Sequence, residues 1–453
     1  MSDNFWNLDY IAHALEARTR ATAPRGSRLL GNVSTDTRSI RAGDVFVALA
    51  GERFDAHDFV PAAIDAGARA VVISHPVEVP AHDAAVYLVD DTLLALGDLA
   101  RFRRVAWGGT LIAVAGSNGK TSTKDLLRAA LESRLRVHAT TGNLNNRIGV
   151  PLTLLALPSD ADVAVVELGT SIPGEIATLR DITRPDMAIV TSIAEEHLEG
   201  FGDIAGVLRE ESSVFHGVAV GIIPSDDTRL ASVASPGRLV RAGLDDGDVH
   251  ASAWKLDDDG TGIAIVDDML IRSPLRGVHN LRNLMLAVAA AREVGVNVTD
   301  VARGIAKLTP PPMRANWQRI GKALVINDAY NSNPGSAVAA IEMLTSAPGT
   351  QKIAVLGSML ELGANSDRCH DDVARAVLAS PADLIAATGE FVPALERLAP
   401  GDTRVVLGAD VEQLWSLLEP RVDCDATILL KASRGATLAR ILPHITNLAT
   451  RDC

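Results

Sequence analysis

Short apolar runs alternate with amphipathic segments along most of the chain. The apolar runs predict buried strands at 44–49, 70–74, 111–115, 163–167 and 187–191. Apolar residues at helical spacing predict helices at 60–66, 92–105, 281–294, 336–344 and 371–378. Strands that alternate with helices are typical of a mostly parallel sheet covered by helices. The pattern therefore predicts an α/β protein.

The same pattern divides the chain into three predicted domains. Residues 1–106 form a small α/β domain, residues 107–312 a central domain with a parallel sheet, and residues 313–453 a second doubly wound, Rossmann-like domain. We place the second boundary at 309–312, because three successive prolines continue neither a helix nor a sheet. The stretch 235–276, rich in Asp and Gly, predicts an antiparallel excursion within the central domain.

Composition narrows the class of protein. The 453 residues include 43 Lys and Arg against 56 Asp and Glu, and this net charge of −13 argues against a nucleic-acid or anionic-membrane surface. Residues 1–15 lack the basic region and apolar core of a secretory signal, and no apolar run approaches the roughly 18 residues of a spanning helix. The three cysteines lack the spacing of a metal site. We therefore expect a cytoplasmic protein that neither binds nucleic acid nor inserts into a membrane.

Residues 110–125, TLIAVAGSNGKTSTKD, carry the strongest chemical signal. An apolar strand runs into a glycine turn whose backbone amides would face a phosphate at a helix N-terminus. The turn consists of Gly116, Ser117, Asn118 and Gly119. Lys120 would reach the terminal phosphates of ATP, and the hydroxyl of Thr121 or Ser122 would ligate magnesium. The loop is shorter than the usual phosphate loop, since Val114 stands where the first glycine is expected, and a turn that only joins a strand to a helix is the alternative.

Polar side chains follow two other predicted strands. Glu167 ends one strand, and Glu195, Glu196 and His197 follow the next. Carboxylates at the ligand edge of a parallel sheet suit magnesium, although carboxylates at strand ends also serve as helix caps. His197 could equally be a hydrogen-bonded structural residue.

A later predicted helix begins with two asparagines, Asn280 and Asn283. Their spacing of three residues places both side chains on one helical face. Amides on one face would read a purine edge or simply cap the helix.

Seven motifs, in order, resemble the Mur ligases over nearly the whole chain. They are GSNGKTSTKD, TTGNLNNRIGVPLTLL, VVELGTSIPGEI, EEHLEGFG, GVHNLRNLMLAVAAA, NDAYNSNP and KASRG. An N-terminal segment, STDTRSIRAGDVFVALAGERFDAHDF, resembles the part of this family that holds a UDP-sugar. NDAYNSNP with HLEGFG is similar to the branch that adds D-alanyl-D-alanine, and the DNPR motif of the diaminopimelate-adding branch is absent from the sequence.

The resemblance implies an ATP-dependent amide ligase of peptidoglycan precursor synthesis. Its fold would be three α/β domains: an N-terminal nucleotide-sugar domain, a central P-loop ATPase domain and a C-terminal Rossmann-like domain. In this family ATP phosphorylates the terminal carboxylate of a UDP-sugar peptide, and an amine then attacks the acyl phosphate. The resemblance implies ATP and Mg²⁺ as cofactors and UDP-N-acetylmuramoyl-tripeptide and D-alanyl-D-alanine as substrates, and we expect a monomer.

The resemblance also implies roles for individual residues. Lys120 would neutralise phosphates, Thr121 would hold the first magnesium, and Glu167 with His197 would hold the second. Nucleotide contacts beyond the glycine turn would come from Asn280, Asn283, Arg314 and Asp328. The amine site or nearby ATP surface would include Tyr330, Asn331, Asn333, Lys431 and Ser433. The UDP-sugar would contact Ser34, Asp36, Thr37, Arg38, Asn143, Asn145 and Asn146, for which turn chemistry is the alternative.

One position departs from the family pattern. Mur ligases commonly carry, fourteen residues after the histidine, a lysine that is carbamylated near the second magnesium, and here that position is Glu211. A glutamate supplies a carboxylate without carbon dioxide, so we interpret Glu211 as a catalytic and metal-binding replacement. The alternative is a solvated charge on a helix.

Two other functions stay open on the sequence. Another ligase of the superfamily, either one that adds an amino acid or a folylpolyglutamate synthase, would share the ATP site but not the N-terminal nucleotide-sugar segment. A non-catalytic ATP-binding or scaffolding protein is indicated only by the missing lysine, and the intact Lys120, Thr121 and Glu167 argue against it.

Overall fold

The structure, a computed structural model, describes residues 5–51, 54–78, 82–310 and 313–449. The chain forms two compact units. The first consists of Met1–Ala115, Leu135–Thr170 and Gly174–Ala188, and the second of Gly116–Arg134, Ser171–Pro173 and Ile189–Cys453. The domain boundaries at 106 and 312 stay predictions, and Pro311 and Pro312 of the predicted linker lie outside the described residues.

Helices and strands alternate along the chain. Up to residue 107 they are α1 (Leu8–Ala14), β1 (Val33–Ser34), β2 (Val45–Val47), β3 (Ala50–Gly51), β4 (Phe54–Asp55), α2 (Val60–Asp65), β5 (Ala70–Ile73), β6 (Ala85–Leu88) and α3 (Thr92–Trp107). Up to residue 190 they are β7 (Thr110–Ala115), α4 (Lys120–Leu131), β8 (Val137–Ala139), α5 (Gly149–Leu155), β9 (Val163–Glu167), α6 (Glu175–Thr183) and β10 (Met187–Val190).

The later elements continue this alternation. Up to residue 305 they are α7 (Leu198–Phe201), α8 (Ile204–Ser212), β11 (Val220–Pro224), α9 (Thr228–Val233), β12 (Arg238–Gly243), β13 (Val249–His250), β14 (Ala253–Leu256), β15 (Thr261–Val266), β16 (Met269–Arg276), α10 (Val278–Glu293) and α11 (Val298–Ile305). Beyond it they are β17 (Asn316–Ile320), β18 (Ala323–Asp328), α12 (Pro334–Ser346), β19 (Lys352–Leu356), α13 (Ser366–Ala379), β20 (Leu384–Thr388), α14 (Phe391–Leu398), β21 (Val405–Gly408), α15 (Val411–Leu418), β22 (Thr427–Lys431) and α16 (Leu442–Ala449).

Parallel strands organise the first unit. A four-stranded sheet has the order β1-β2-β5-β6, and each neighbouring pair is parallel. β9 pairs in parallel with both β7 and β8. Every residue of β9, and every residue of β7 after the first, is buried, as expected for strands covered on both faces. The polar residues that follow such strands lie at the edge where α/β proteins bind ligands.

The strands of the second unit form parallel and antiparallel groups. β11, β12 and β13 pair in parallel, whereas β14, β15 and β16 pair in antiparallel fashion. The predicted antiparallel excursion is therefore correct for β14–β16 and wrong for β12 and β13. For β12 the reason is α9, a helix that was not among the predicted elements. A helical crossover between β11 and β12 returns the chain in the same direction.

A six-stranded sheet forms the C-terminal part of the second unit, with the order β17-β18-β22-β19-β20-β21. All pairs are parallel except the edge pair β17–β18. The register places Asp328 opposite Lys431 where β18 and β22 end. Among the helices of the described ranges, none is long and apolar enough to cross a membrane.

Candidate active site

Two glycines shape the turn between β7 and α4. Gly116 has φ +116° and Gly119 has φ +87°, in the left-handed region that side chains rarely adopt. A Cβ on Gly116 would lie 2.4 Å from Thr191 Oγ1, and one on Gly119 would lie 2.6 Å from Asn283 Oδ1. Glycine is therefore required at both positions, and the turn delivers Lys120 as the first residue of α4.

Three backbone amides of the glycine turn already have protein acceptors. Gly116 N donates to Glu211 Oε2 at 2.7 Å. Ser192 accepts the next two, through its carbonyl oxygen from Ser117 N and through its hydroxyl from Asn118 N, each at 2.9 Å. The prediction was that successive turn amides face a phosphate, whereas these three donate to acceptors within the protein. Lys120, the first residue of α4, follows this turn directly, so the helix N-terminus lies next to it.

The ammonium group of Lys120 folds back over the turn. Its Nζ donates to the carbonyl oxygen of Gly116, lies 3.4 Å from that of Ser117, and lies 3.9 Å from Glu196 Oε1. Glu196 is buried, and this burial raises the pKa of its carboxyl group to about 8 although the lysine opposes the rise. The charge of Lys120 is therefore held beside the turn, where a terminal phosphate would be bound.

Glu211 is fully buried against the glycine turn. Its Oε2 accepts from Gly116 N, and its Oε1 has no hydrogen-bond partner among the described residues. Burial raises the pKa of Glu211, while Lys120 and the Gly116 N–H oppose that rise. The alternative, a solvent-exposed charge on a helix, is wrong, because Glu211 is buried and its carboxylate accepts a hydrogen bond from the turn.

His197 precedes α7 and has φ +49°. Its Nδ1 contacts the carboxylate of Glu361, a residue that itself has φ +64°. The Glu361 carbonyl also accepts from Glu199 N at 3.2 Å. Left-handed backbone outside glycine costs about 1–2 kcal/mol, so these contacts hold two strained residues in place.

Two amide side chains join the glycine turn to α12. Asn333 Nδ2 donates to Asn118 Oδ1 at 2.8 Å, and Asn118 Nδ2 donates to Asn333 Oδ1 at 3.3 Å. Asn333 is also the N-cap of α12, where it exchanges hydrogen bonds with Ser336. A residue predicted to bind ATP and one predicted near the amine site are therefore direct neighbours.

Asn280 and Asn283 lie on one face of α10, as their spacing predicts. Asn283 Nδ2 donates to Asn280 Oδ1 at 3.2 Å, and Asn280 Nδ2 donates to the carbonyl oxygen of Arg276 at 2.8 Å. Asn283 also packs against Gly119 of the turn. Asn283 is thus beside the glycine turn, whereas Asn280 closes the start of its own helix.

The ends of β18 and β22 bring an acid and a lysine together. Lys431 Nζ lies 2.7 Å from Asp328 Oδ2 and donates to the Asn331 carbonyl at 2.8 Å. The other Asp328 oxygen accepts a hydrogen bond from Ala315 N at 2.9 Å. Arg314 is the residue that precedes Ala315 in the sequence. The residues predicted for the ribose and for the dipeptide therefore form one neutral ion pair.

Ser433 and Tyr330 lie on the loops that follow these strands. The buried Ser433 hydroxyl accepts from Leu360 N at 3.0 Å and donates to the Ser332 carbonyl at 3.3 Å. The ring of Tyr330 is covered by the guanidinium of Arg314, at 4.3 Å from its centroid. Ser433 therefore links two neighbouring loops by hydrogen bonds, while the Tyr330 ring contacts the guanidinium of Arg314.

In the first unit, Glu167 is the last residue of β9. It pairs in register with Val114, two residues before Gly116 in the chain. Its Oε1 accepts from Asn145 Nδ2 at 2.8 Å, and its backbone N donates to Thr140 Oγ1 at 2.9 Å. One of the asparagines predicted for the substrate path thus orients a predicted magnesium ligand.

The other two asparagines of that segment differ in their contacts. Asn146 Oδ1 accepts from Gly149 N at 2.9 Å and from Ile148 N at 3.1 Å, and so caps the start of α5. Asn143 is exposed, and its carbonyl accepts from Asn145 N at 2.8 Å. Turn and cap chemistry describes Asn146, while the side chain of Asn143 faces solvent.

Ser34, Asp36, Thr37 and Arg38 form a tight turn after β1. Asp36 N donates to Ser34 Oγ at 3.1 Å, and the Asp36 carboxylate accepts from both the backbone and the guanidinium of Arg38, at 2.9 and 2.7 Å. This pairing lowers the pKa of Asp36 to about 2. Thr37 begins a short 3-10 helix capped by Asp36. Arg38 is thus paired with Asp36 while most of its side chain stays exposed.

Comparisons with known proteins match successive parts of the chain. The model of the Mur ligase family catalytic domain matches residues 30–104, that of the Mur ligase middle domain 114–291, and that of the Mur ligase glutamate ligase domain 313–434. The UDP-N-acetylmuramoyl-tripeptide--D-alanyl-D-alanine ligase of Escherichia coli is 36% identical over 430 residues, which cover 91% of this chain and 93% of that protein. The chain belongs to the Mur ligase family.

Solved structures agree with the Mur ligase fold. MurF from Acinetobacter baumannii has a TM-score of 0.88 at 30% identity, covering 98% of this chain and 99% of that one. MurF from Thermotoga maritima in complex with ADP has a TM-score of 0.81 at 28% identity, covering 92% of this chain and 97% of that one. The predicted fold of three α/β domains with parallel sheets is confirmed.

Three residues of this Mur ligase that contact predicted site residues were not themselves predicted. Ser192 accepts two turn amides, Glu361 contacts His197, and the guanidinium of Arg434 lies 5.8 Å from the Tyr330 ring centroid. Arg434 lies within the KASRG motif, so a signal for it was present. Ser192 and Glu361 carry no local signal, because their partners are set by tertiary packing.

Proposed function

We propose that this Mur ligase joins D-alanyl-D-alanine to UDP-N-acetylmuramoyl-tripeptide in peptidoglycan precursor synthesis, with conversion of ATP to ADP and phosphate. The observation that carries the proposal is the similarity, along nearly both full chains, to the Escherichia coli ligase of that name. The glycine turn followed by Lys120 and Thr121 supports ATP use, as does the ADP complex of the Thermotoga MurF.

The reaction needs activation, because a carboxylate does not react with an amine. A carboxylate oxygen of the tripeptide attacks the γ-phosphorus of ATP, the bond from that phosphorus to the bridging oxygen breaks, and ADP leaves. The dipeptide amine then attacks the acyl carbon, phosphate leaves with the bonding electrons, and the new amide nitrogen loses its proton to water. Lys120 and the amides at the start of α4 would stabilise the phosphate charge.

Magnesium would supply further positive charge to the phosphates, and the oxygen donors of this chain fit it. The Glu211 Oε1, which has no hydrogen-bond partner among the described residues, and the Thr121 hydroxyl are hard donors of the kind magnesium prefers. We propose both as magnesium-binding residues, and we include Glu167 on the family resemblance. His197 fits less well, since its Nδ1 faces Glu361 and magnesium prefers oxygen.

The buried position of Glu211 supports its proposed role as the replacement of the carbamylated lysine. A side-chain carboxyl group that needs no carbon dioxide stands where the family resemblance implies a carbamylated lysine. Its contact with Gly116 N adds a second role, which is to hold the turn. We therefore propose that activity does not depend on bicarbonate.

The remaining nucleotide contacts are proposed with different support. Asn283 is supported because it packs against Gly119. Asp328 and Lys431 are less well supported as direct ligands, because each is already the ionic partner of the other. Arg314 stays a proposed nucleotide contact, since no described carboxylate pairs with it.

The UDP-sugar is proposed to bind in the first unit. The turn of residues 34–38 and the asparagines at 143 and 145 are the proposed contacts, on the family resemblance. A cytoplasmic location is part of the proposal, because ATP and nucleotide sugars are cytoplasmic metabolites. We propose a monomer, since all of the proposed contacts come from one chain.

A phosphate-release assay tests the proposal. UDP-N-acetylmuramoyl-tripeptide with diaminopimelate or lysine at its third position is supplied with ATP, with and without D-alanyl-D-alanine, and the product is weighed by mass spectrometry. We expect phosphate release and a product heavier by the dipeptide only when all substrates are present. Ligation of a single amino acid or of a folate instead would contradict the proposal and favour another branch of the superfamily.

A further inference from the structure

The ring of Tyr330 attracts two guanidinium groups. Arg314 lies 4.3 Å from the ring centroid and Arg434 lies 5.8 Å from it. Both distances are within the range in which a cation is attracted to an aromatic face. Two like charges at one ring repel each other, so the arrangement favours an anion that lies between or beside them.

Most arginines in the C-terminal part of the chain have an acceptor within the protein, either a carboxylate or, for Arg421, the Thr403 carbonyl. Five arginines beyond residue 320 form ion pairs with carboxylates, namely Arg368, Arg375, Arg397, Arg404 and Arg440. Within the described ranges, neither Arg314 nor Arg434 pairs with a carboxylate. Arg434 is also exposed, so its donors are accessible to a ligand.

The nearest ion pair at these strand ends does not offset the charge of the two guanidinium groups. Arg434 lies three residues beyond the end of β22, and Tyr330 lies two residues beyond the end of β18, its parallel neighbour. Lys431 and Asp328, at those strand ends, neutralise each other at 2.7 Å. The lysine is therefore already paired, whereas the two guanidinium groups at Tyr330 have no carboxylate partner among the described residues.

The amine substrate of the proposed reaction carries a matching anion. The dipeptide must present a neutral amine to the acyl phosphate, so its free carboxylate is the permanent charge by which it can be recognised. A guanidinium binds a carboxylate through two parallel hydrogen bonds, and a tyrosine ring offers an apolar face to a methyl group. Since Arg314 is proposed for the nucleotide, Arg434 is the arginine left for the dipeptide.

We propose that Arg434, stacked beside Tyr330, binds the free carboxylate of the incoming dipeptide and selects acceptors that end in a carboxylate. This inference rests on the proposed function. Lys431 then acts indirectly, because it holds Asp328 and the Asn331 carbonyl and so shapes the loop that carries Tyr330.

The test compares two acceptors in wild type and Arg434→Gln. The acceptors are D-alanyl-D-alanine and its C-terminal amide, which lacks the carboxylate. We expect Arg434→Gln to raise the KM for D-alanyl-D-alanine by about 10- to 100-fold, the range for loss of a hydrogen bond to a charged group. The KM for the amide should already be high in wild type and should change less than about twofold in the variant. The KM values for ATP and the UDP-tripeptide should stay unchanged.

Two further variants control for folding and for general charge. Arg434→Lys keeps the positive charge but loses the pair of parallel N–H donors of the guanidinium. Its KM for D-alanyl-D-alanine should therefore lie between those of wild type and Arg434→Gln. Arg440→Gln removes a nearby exposed arginine that is paired with Glu412 and should match wild type. Equal effects of Arg434→Gln on the KM of both acceptors, or no effect on either, would overturn the role of Arg434 and leave the proposed function intact. No ligation of D-alanyl-D-alanine by wild type would overturn the proposed function, and this inference with it.

Discussion

Replacement of Glu211 separates the two roles proposed for it. Glu211→Gln keeps an oxygen that can accept from Gly116 N, now 2.7 Å from Glu211 Oε2, but removes the charge. Glu211→Ala removes both and leaves the buried Gly116 N–H without an acceptor. The two variants therefore have the same effect on a metal and different effects on the glycine turn.

The magnitudes follow from the burial of this acid. In Glu211→Gln a charged acceptor becomes neutral, which weakens one hydrogen bond by about 1 kcal/mol, whereas removal of a fully buried charge relieves a desolvation cost of several kcal/mol. We expect an unchanged or higher melting temperature. Glu211→Ala should be destabilised by about 1–3 kcal/mol, because an amide is left unsatisfied, with a further cost for the cavity.

The effect on magnesium should be similar for both variants. Loss of a charged ligand is worth about 1.5–3 kcal/mol, so the half-saturating magnesium concentration should rise by about 10- to 150-fold. The assay is ligation rate against magnesium concentration in degassed and in bicarbonate-supplemented buffer. Glu132→Gln, which alters an exposed acid of the same unit, is the matched control and should behave as wild type.

Two results would refute this reasoning. Superimposable magnesium curves for wild type and Glu211→Gln would show that the carboxylate takes no part in metal binding. A melting temperature of Glu211→Gln as low as that of Glu211→Ala would show that the acceptor for Gly116 N does not explain the burial of this residue. Dependence of wild type on bicarbonate would also contradict a permanent carboxylate.

Two more perturbations have definite expected outcomes. Lys120→Ala should lower kcat by about 100-fold or more, about 3 kcal/mol of charge stabilisation, with little change in melting temperature, and near-normal turnover of the folded variant would argue against the phosphate role. His370 is buried with Nε2 accepting from Met359 N and Nδ1 facing the Ser366 carbonyl, and burial lowers its pKa. As the pH falls, the histidine of the unfolded chain therefore binds a proton before that of the folded protein. The free energy of unfolding should then decrease below about pH 6.5, by up to about 1.4 kcal/mol per pH unit. In melting curves measured from pH 7 to 5, His370→Gln should show a smaller decrease.

The strand, turn and helix at 110–125 could be predicted because their determinants are local, while the phosphate role of the turn stays a prediction. A buried strand, two glycines with positive φ and a helix N-terminus all lie within 110–125, so the pattern of that segment alone indicates them. The direction of β12 could not be predicted in the same way. It depends on α9, a helix of six residues whose apolar pattern is too short to distinguish from a loop.

The roles of single residues could not be predicted fully, because the tertiary structure pairs some of these side chains with each other. Lys431 and Asp328 were assigned to different ligands, but the register of β18 with β22 makes them partners. Asn118 and Asn333 are separated by more than two hundred residues, and only the fold brings their amides together. A sequence motif thus indicates which residues gather at a site, whereas their charges after pairing depend on the tertiary structure.

The pairing of the turn amides bears on how a short phosphate loop can work. Because Gly116, Ser117 and Asn118 donate to protein acceptors, the turn keeps its shape without a phosphate in it. The conformational entropy of the loop is then lost when the protein folds and not when ATP binds. What must change on binding is Lys120, whose ammonium now contacts carbonyl oxygens of the turn and would exchange them for phosphate oxygens. A loop that lacks the usual first glycine can therefore keep its shape, because the protein itself supplies acceptors for its amides.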